Sequence, residues 1–109
     1  MTCLCHIDDL PDNQARGFQV ELDGESRPVL LVRRGMTVYG YINVCPHRGT
    51  SLDWLPDRFM DAEGRHLQCA THGARFEVET GHCISGPCSG LGLTPVVVAV
   101  HEGHIHVTY

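Results

Sequence analysis

Two short mixed pairs of metal-ligand side chains, Cys45-Pro46-His47 and Cys69-Ala70-Thr71-His72, constrain this chain more than any other feature. Each pair offers one thiolate and one imidazole, close enough in sequence to point into one site. Twenty-one residues separate His47 from Cys69, so a fold that uses both pairs must carry two separate loops to the same place. Gly49 follows the first pair and Gly73 the second. Without a Cβ, glycine lets the backbone approach a ligand closely and turn through positive φ. Two sulfurs and two imidazoles suit either a tetrahedral zinc ion or an iron–sulfur centre. Zinc modules favour Cys-x2–4-Cys and His-x3–5-His pairs, whereas each pair here mixes the two ligand types, which counts against zinc.

The remainder of the chain reads as strands and turns. Residues 18–22 (FQVEL) alternate apolar and polar and stop at Asp23-Gly24, a turn dipeptide. Residues 28–33 (PVLLVR) resume as an extended run, Arg34-Gly35 makes the next turn, and 37–44 (TVYGYINV) follows with aromatic and β-branched residues. Residues 59–60 and 66–69 can form a hairpin across 61–64 (DAEG), and 75–78 (RFEV) is a further strand. The Gly- and Pro-rich stretch 81–95 reads as loop. Residues 96–100 (VVVAV) and 104–108 (HIHVT) pair across Glu102-Gly103. No segment keeps helical periodicity over ten residues, so the chain is expected to be all-β, an antiparallel sandwich.

A length of 109 residues allows one domain with its own core, and hydrophobic residues at 42% are enough to fill it. The 13 acidic residues outnumber the 8 basic ones, a balance that argues against nucleic acid and against an anionic membrane surface. No apolar run approaches the roughly 20 residues that cross a bilayer. The N-terminus brings Asp8, Asp9 and Asp12 where a signal peptide would be basic and then apolar, so a cytoplasmic protein is the default. Six cysteines in such a chain point to metal or redox chemistry more than to structural disulfides.

The two pairs and their flanks resemble the Rieske family, whose pattern is Cys-x-His, a spacer, then Cys-x-x-His. CPHRGTSL (45–52) is similar to the family's first box and CATHGARF (69–76) to its second. TGHCISGPCSGLGL (80–93) resembles the proline loop that covers the cluster. The resemblance runs over essentially the whole chain. It implies a single Rieske domain over 1–109, with a cluster-binding subdomain at about 44–90 inserted in a basal sheet domain formed by 1–43 and 91–109. It implies one Rieske-type 2Fe-2S cluster per chain, with Cys45 and Cys69 on one iron and His47 and His72 on the other, solvent-facing one. Two imidazoles in place of two thiolates raise the potential above that of an all-cysteine centre.

The same resemblance implies a one-electron carrier that transforms no organic substrate itself. A reductase loads it and a terminal oxygenase or reductase unloads it, with loops 45–50, 69–74 and 85–90 as the docking face. The alternatives are an accessory subunit of a nitrite-reductase-like enzyme and, further off, a structural zinc module. The high-potential respiratory type carries a disulfide between its cluster loops and donating hydroxyls beside the cluster. Here Thr50, Ala70 and Thr71 stand where the bridging cysteines would be, and Ala74 and Phe76 where the hydroxyls would be. A lower-potential, ferredoxin-like centre is therefore expected. The 21-residue spacer is longer than ring-hydroxylating dioxygenase ferredoxins typically have.

Other reactive side chains have plainer readings. Cys83 and Cys88 read as free thiols packed in the later loop, with a short-range disulfide as the alternative. Cys3-Leu4-Cys5-His6 reads as a first strand with both thiols on one face. His101, His104 and His106 read as alternating, solvated strand positions, His66 and His82 as surface residues, Trp54 as core and Arg48 as a loop cation near the cluster.

Overall fold

The computed structural model describes residues 2–22, 24–44, 60, 65–68, 74–85 and 92–108. Among the described residues, nine strands run in the order β1 (Thr2–His6), β2 (Ala15–Leu22), β3 (Glu25–Arg34), β4 (Thr37–Ile42), β5 (His66–Gln68), β6 (Arg75–Glu77), β7 (Cys83–Ser85), β8 (Val97–His101) and β9 (His104–Thr108). A 3-10 turn, Ile7–Asp9, follows β1. The pairings between these described strands are antiparallel, and they form three sheets with orders β1-β9-β8, β2-β3-β4 and β5-β6-β7. The expected all-β architecture is what forms. Among the described residues no helix is long and apolar enough to cross a membrane.

The turns follow from their residues. Gly24 (φ +79°) and Gly35 (φ +59°) close the hairpins at either end of β3. Glu102 and Gly103 are both at positive φ (50° and 79°) between β8 and β9, as a two-residue hairpin that follows the strand twist requires.

β3 is central to the fold. Its apolar run Val29, Leu30, Leu31 and Val32 is fully buried, each at 0% exposure. A strand buried on one face alternates; this one does not, because both faces are covered. Leu30 and Val32 face a core with Leu67, Ala74, Phe76 and Val78 from the β5–β7 region. Val29 and Leu31 face a second core with Ile7, Ile105 and Val107 from the β1-β9-β8 sheet. The chain is thus a β2-β3-β4 sheet with a further sheet on each side.

Residues 92–96 run along all three. Leu93 N–H donates to the Gly81 carbonyl (2.8 Å), Ile42 N–H to Thr94 (2.8 Å) and Val96 N–H to Gly40 (3.0 Å). At Gly40 a Cβ would meet Val98 Cγ2 at 2.6 Å and Val96 Cγ2 at 2.7 Å, so only glycine lets β8 close onto β4 here. Arg33 fastens the other end, donating to the carbonyls of Ile7 (3.1 Å), Leu10 (3.1 Å) and Gly35 (2.7 Å).

The structure departs from the sequence reading in three places. β2 and β3 begin earlier than their apolar patterns, because each extends the other's ladder, to Ala15↔Val32 at one end and to Leu22↔Glu25 at the other. β7 lies within the stretch read as loop. The thiols of β1 do not share a face: a bulge between Cys3 and Cys5 pairs Cys3 with outward His106 and Cys5 with buried Ile105. Cys3 is exposed, whereas Cys5 packs on the core, where burial pushes its thiol pKa up, with the Asp9 carboxylate adding to the effect.

Leu30→Ala should lower the unfolding free energy by about 2–5 kcal/mol in a denaturant titration. Met36→Ala, at a 76% exposed turn position, should change it by less than about 0.5 kcal/mol.

Candidate metal centre

The sequence puts the four candidate ligands just beyond the ends of described strands. β5 and β6 form a hairpin whose last paired residues are Gln68 and Arg75. The connection between them, 69–74, contains Cys69 and His72 and closes with Ala74 and β6. Ala74 and Phe76 are both at 0% exposure, packed with Leu67 against Leu30 and Tyr41. The second pair is therefore rooted on two fully buried side chains, and neither can donate a hydrogen bond.

The first pair follows β4. Asn43 is buried at 7% and donates its N–H to the Pro28 carbonyl (2.8 Å), while Val44 N–H reaches Ile42 (2.8 Å). Val44 packs on the core beside Ile42. Cys45 comes next in the chain. Cys45, His47, Cys69 and His72 themselves lie outside the described residues, as do Gly49, Gly73, Arg48 and Trp54. Leu67 pairs with Met60 in an isolated antiparallel bridge, which agrees with the hairpin read across 61–64, a turn that is also outside the described residues.

The two roots are joined through Tyr41. Its hydroxyl donates to the buried Val78 carbonyl at 2.6 Å, and its ring lies against Gly81, where a Cβ would meet Cε1 at 2.7 Å. Gly81 is also at φ +76°, so both space and backbone demand glycine there. Burial, with Glu79 and then Tyr39 adding to it, pushes the Tyr41 pKa up to about 12, and the group remains a neutral donor throughout ordinary pH. Neither Tyr41 nor Gly81 stood out in the sequence as more than strand and turn, because their contact joins distant segments.

The remaining candidates fall elsewhere. Cys83 is disulfide-bonded, which corrects the free-thiol reading; its partner is outside the described residues, while Cys3 and Cys5 are free. His6 sits edge-on to His104 with ring centroids 5.2 Å apart and caps the 3-10 turn, its Nδ1 accepting from the Asp8 N–H at 3.1 Å. His101 is exposed and His106 partly so, and His82 is exposed. Among the described residues, no three His, Cys, Asp or Glu side chains gather as metal ligands.

A model of the Rieske [2Fe-2S] domain matches residues 1–101. The cytochrome b6-f complex iron-sulfur subunit of Chlorobaculum thiosulfatiphilum is 32% identical over 79 residues, 72% of this chain but only 38% of the subunit. The ferredoxin component of the naphthalene 1,2-dioxygenase/salicylate 5-hydroxylase systems of Ralstonia sp is 28% identical over 74% of this chain and 69% of its own length. Among solved structures, the ferredoxin of carbazole 1,9a-dioxygenase from Nocardioides aromaticivorans IC177 superposes with TM-score 0.76 at 30% identity, covering 99% of this chain and 98% of that one. A protein assigned as the NADH-dependent nitrite reductase small subunit of Mycobacterium tuberculosis gives TM-score 0.70 at 28% identity, covering 97% and 91%.

Tyr41→Phe should lower the unfolding free energy by about 1–3 kcal/mol, because the buried Val78 carbonyl loses its donor. A tyrosine whose folded pKa is raised adds stability that is full below about pH 10 and is lost as pH rises towards about 12. Denaturant titrations should show that alkaline decline in the parent and a weaker one in the variant.

Proposed function

Because the chain belongs to the Rieske [2Fe-2S] domain family, we propose that it is a one-electron carrier whose cluster is held by Cys45, His47, Cys69 and His72. The observation that carries this reading is the family match across 1–101, together with two thiolate–imidazole pairs placed directly after β4 and β5. The donor set fits the group: two thiolates and two neutral imidazoles balance an iron–sulfur core that gains one negative charge on reduction. When bound, such a cluster supplies one-electron chemistry at a potential above that of an all-cysteine centre. In this reading the thiolates fix one iron and the imidazoles the other, with the outer ring nitrogens of His47 and His72 at the protein surface.

The buried roots support a lower-potential, ferredoxin-like centre. Ala74 and Phe76 are fully buried without a hydroxyl, so backbone N–H groups of the two loops supply the hydrogen bonds to sulfur. Fewer such bonds leave the reduced state less stabilised. The cluster-binding subdomain is proposed to span about 44–90, on a basal domain of 1–43 and 91–109.

The partners proposed are a reductase and a terminal oxygenase, in a cytoplasmic chain that transforms no substrate itself. Support comes from end-to-end structural similarity to one dioxygenase ferredoxin and from sequence similarity to another over 74% of this chain. Loops 45–50, 69–74 and 85–90 would form the docking face for short-lived contacts. A second reading, the small subunit of a nitrite-reductase-like enzyme, is favoured by the superposition over 97% of this chain on a protein so assigned. Copurification with a large subunit would select it; a stable free monomer that reduces an oxygenase would select the first.

The purified protein should be brown, contain iron and acid-labile sulfide in equal amounts, and take up one electron per chain. A colourless protein with an equivalent of zinc would overturn the reading. Replacing His72 with Cys should lower the potential or lose the cluster; an unchanged spectrum and potential would remove His72 from the ligand set.

A further inference from the structure

We propose that the groove between β4, the 95–98 segment and the turn after β6 is a docking site for an arginine side chain of a protein partner. The chemistry of the groove is independent of the ligand assignment above; its position relative to the cluster rests on that assignment.

The groove has a volume of about 210 Å3. Tyr39, Gly40 and Tyr41 line it from β4, Pro95 and Val98 from the segment beside β4, and Glu79 from the turn after β6. Its walls are fixed in advance. Val96 N–H donates to the Gly40 carbonyl (3.0 Å), Pro95 bridges to Tyr41, and the Tyr41 hydroxyl holds the turn through the Val78 carbonyl (2.6 Å). A preformed site loses little conformational freedom when it fills.

Among the described residues, Glu79 is the charged side chain that lines the groove. Its cationic neighbour Arg34 comes only within 3.9 Å (Nη1 to Oε1) and donates through Nη2 to the Arg65 carbonyl. Arg34 does not line the groove, and the carboxylate, half exposed, is open to a second cation. Burial first, and then the Glu79 charge, push the Tyr41 pKa up to about 12, so the field of the carboxylate is felt at that ring.

A carboxylate beside two tyrosines suits a guanidinium. Such a group is planar and weakly hydrated, pairs with a carboxylate through two N–H groups and stacks on aromatic faces, whereas an ammonium holds its water more tightly. The chain carries 13 acidic against 8 basic residues, a balance that steers a basic partner surface towards it. Exposed Pro95 and half-buried Val98 offer an apolar wall to the residues that flank the arginine, which a free cation would not use.

The position of the groove gives the contact its role. Glu79 lies beyond Glu77, which pairs with His66, whereas the 69–74 connection leaves from the Gln68–Arg75 pair. The groove and the second ligand pair therefore belong to opposite ends of the β5-β6 hairpin. A partner held at the groove leaves the cluster end free to exchange electrons, as a resident subunit requires.

The test titrates the oxidised, 15N-labelled holoprotein with a blocked peptide that has arginine at its centre and leucine on either side. Saturable shifts are expected at the Tyr39, Gly40, Glu79 and Val98 amides, with weaker binding of ethylguanidinium and none of the citrulline peptide. Glu79→Gln should weaken peptide binding about three- to tenfold. Glu21→Gln, an equal loss of charge on β2, should leave it unchanged. Unmoved amides at the groove, equal weakening by the two substitutions, or ethylguanidinium binding as tightly as the peptide would each overturn the proposal. Failure of the cluster reading would look different: an iron-free protein that still binds the peptide at these amides.

Discussion

Tyr41 is the point at which the sheet that carries the second ligand pair is fixed to the body of the protein. β4 ends three residues before the first pair in the chain, and the turn after β6 lies at the end of the β5-β6 hairpin away from the 69–74 connection. One side chain spans the two, with its ring on Gly81 and its hydroxyl on the Val78 carbonyl. The contact works only because Gly81 has no Cβ and because the hydroxyl stays protonated, as its upward-shifted pKa requires. Electron transfer demands that ligands keep their geometry in both redox states, and a buried, directional bond that holds the β5-β6-β7 sheet to β4 contributes to such a fixed frame.

The rest of the core serves the same end. A β2-β3-β4 sheet buried on both faces gives two cores, one towards the β1-β9-β8 sheet and one towards the β5-β6-β7 sheet. Ala74 and Phe76 are part of the second core. The residues at which hydroxyls would tune the potential are therefore spent on packing. In the proposed reading, the same two side chains that stabilise the loop roots also leave the cluster without donating hydroxyls.

Much of this was legible in the sequence, for identifiable reasons. Strong local signals carried the alternating 18–22 segment, the 29–32 apolar run and the Asp23-Gly24, Arg34-Gly35 and Glu102-Gly103 turns. The candidate ligand pairs stand out in the sequence because thiolate and imidazole chemistry needs no partner from elsewhere to be recognised; the four residues lie outside the described ones. β7 was missed: three residues among glycines and prolines carry no period, and the strand exists because β6 offers it a ladder. The bulge that separates Cys3 from Cys5 depends on β9, not on the residues of β1. Tyr41, Gly81 and Val78 form a long-range contact, and nothing local distinguishes this tyrosine from Tyr39 two residues before it.

The central claim is that two cysteines and two histidines hold a 2Fe-2S cluster. Pulsed electron paramagnetic resonance of the reduced protein, grown with 15N-labelled histidine, tests it most directly. The account predicts strong hyperfine coupling from nitrogens of two histidines, His47 and His72, on a 2Fe-2S signal. A cluster signal without histidine nitrogen coupling, or a zinc-loaded protein with no signal at all, would contradict it.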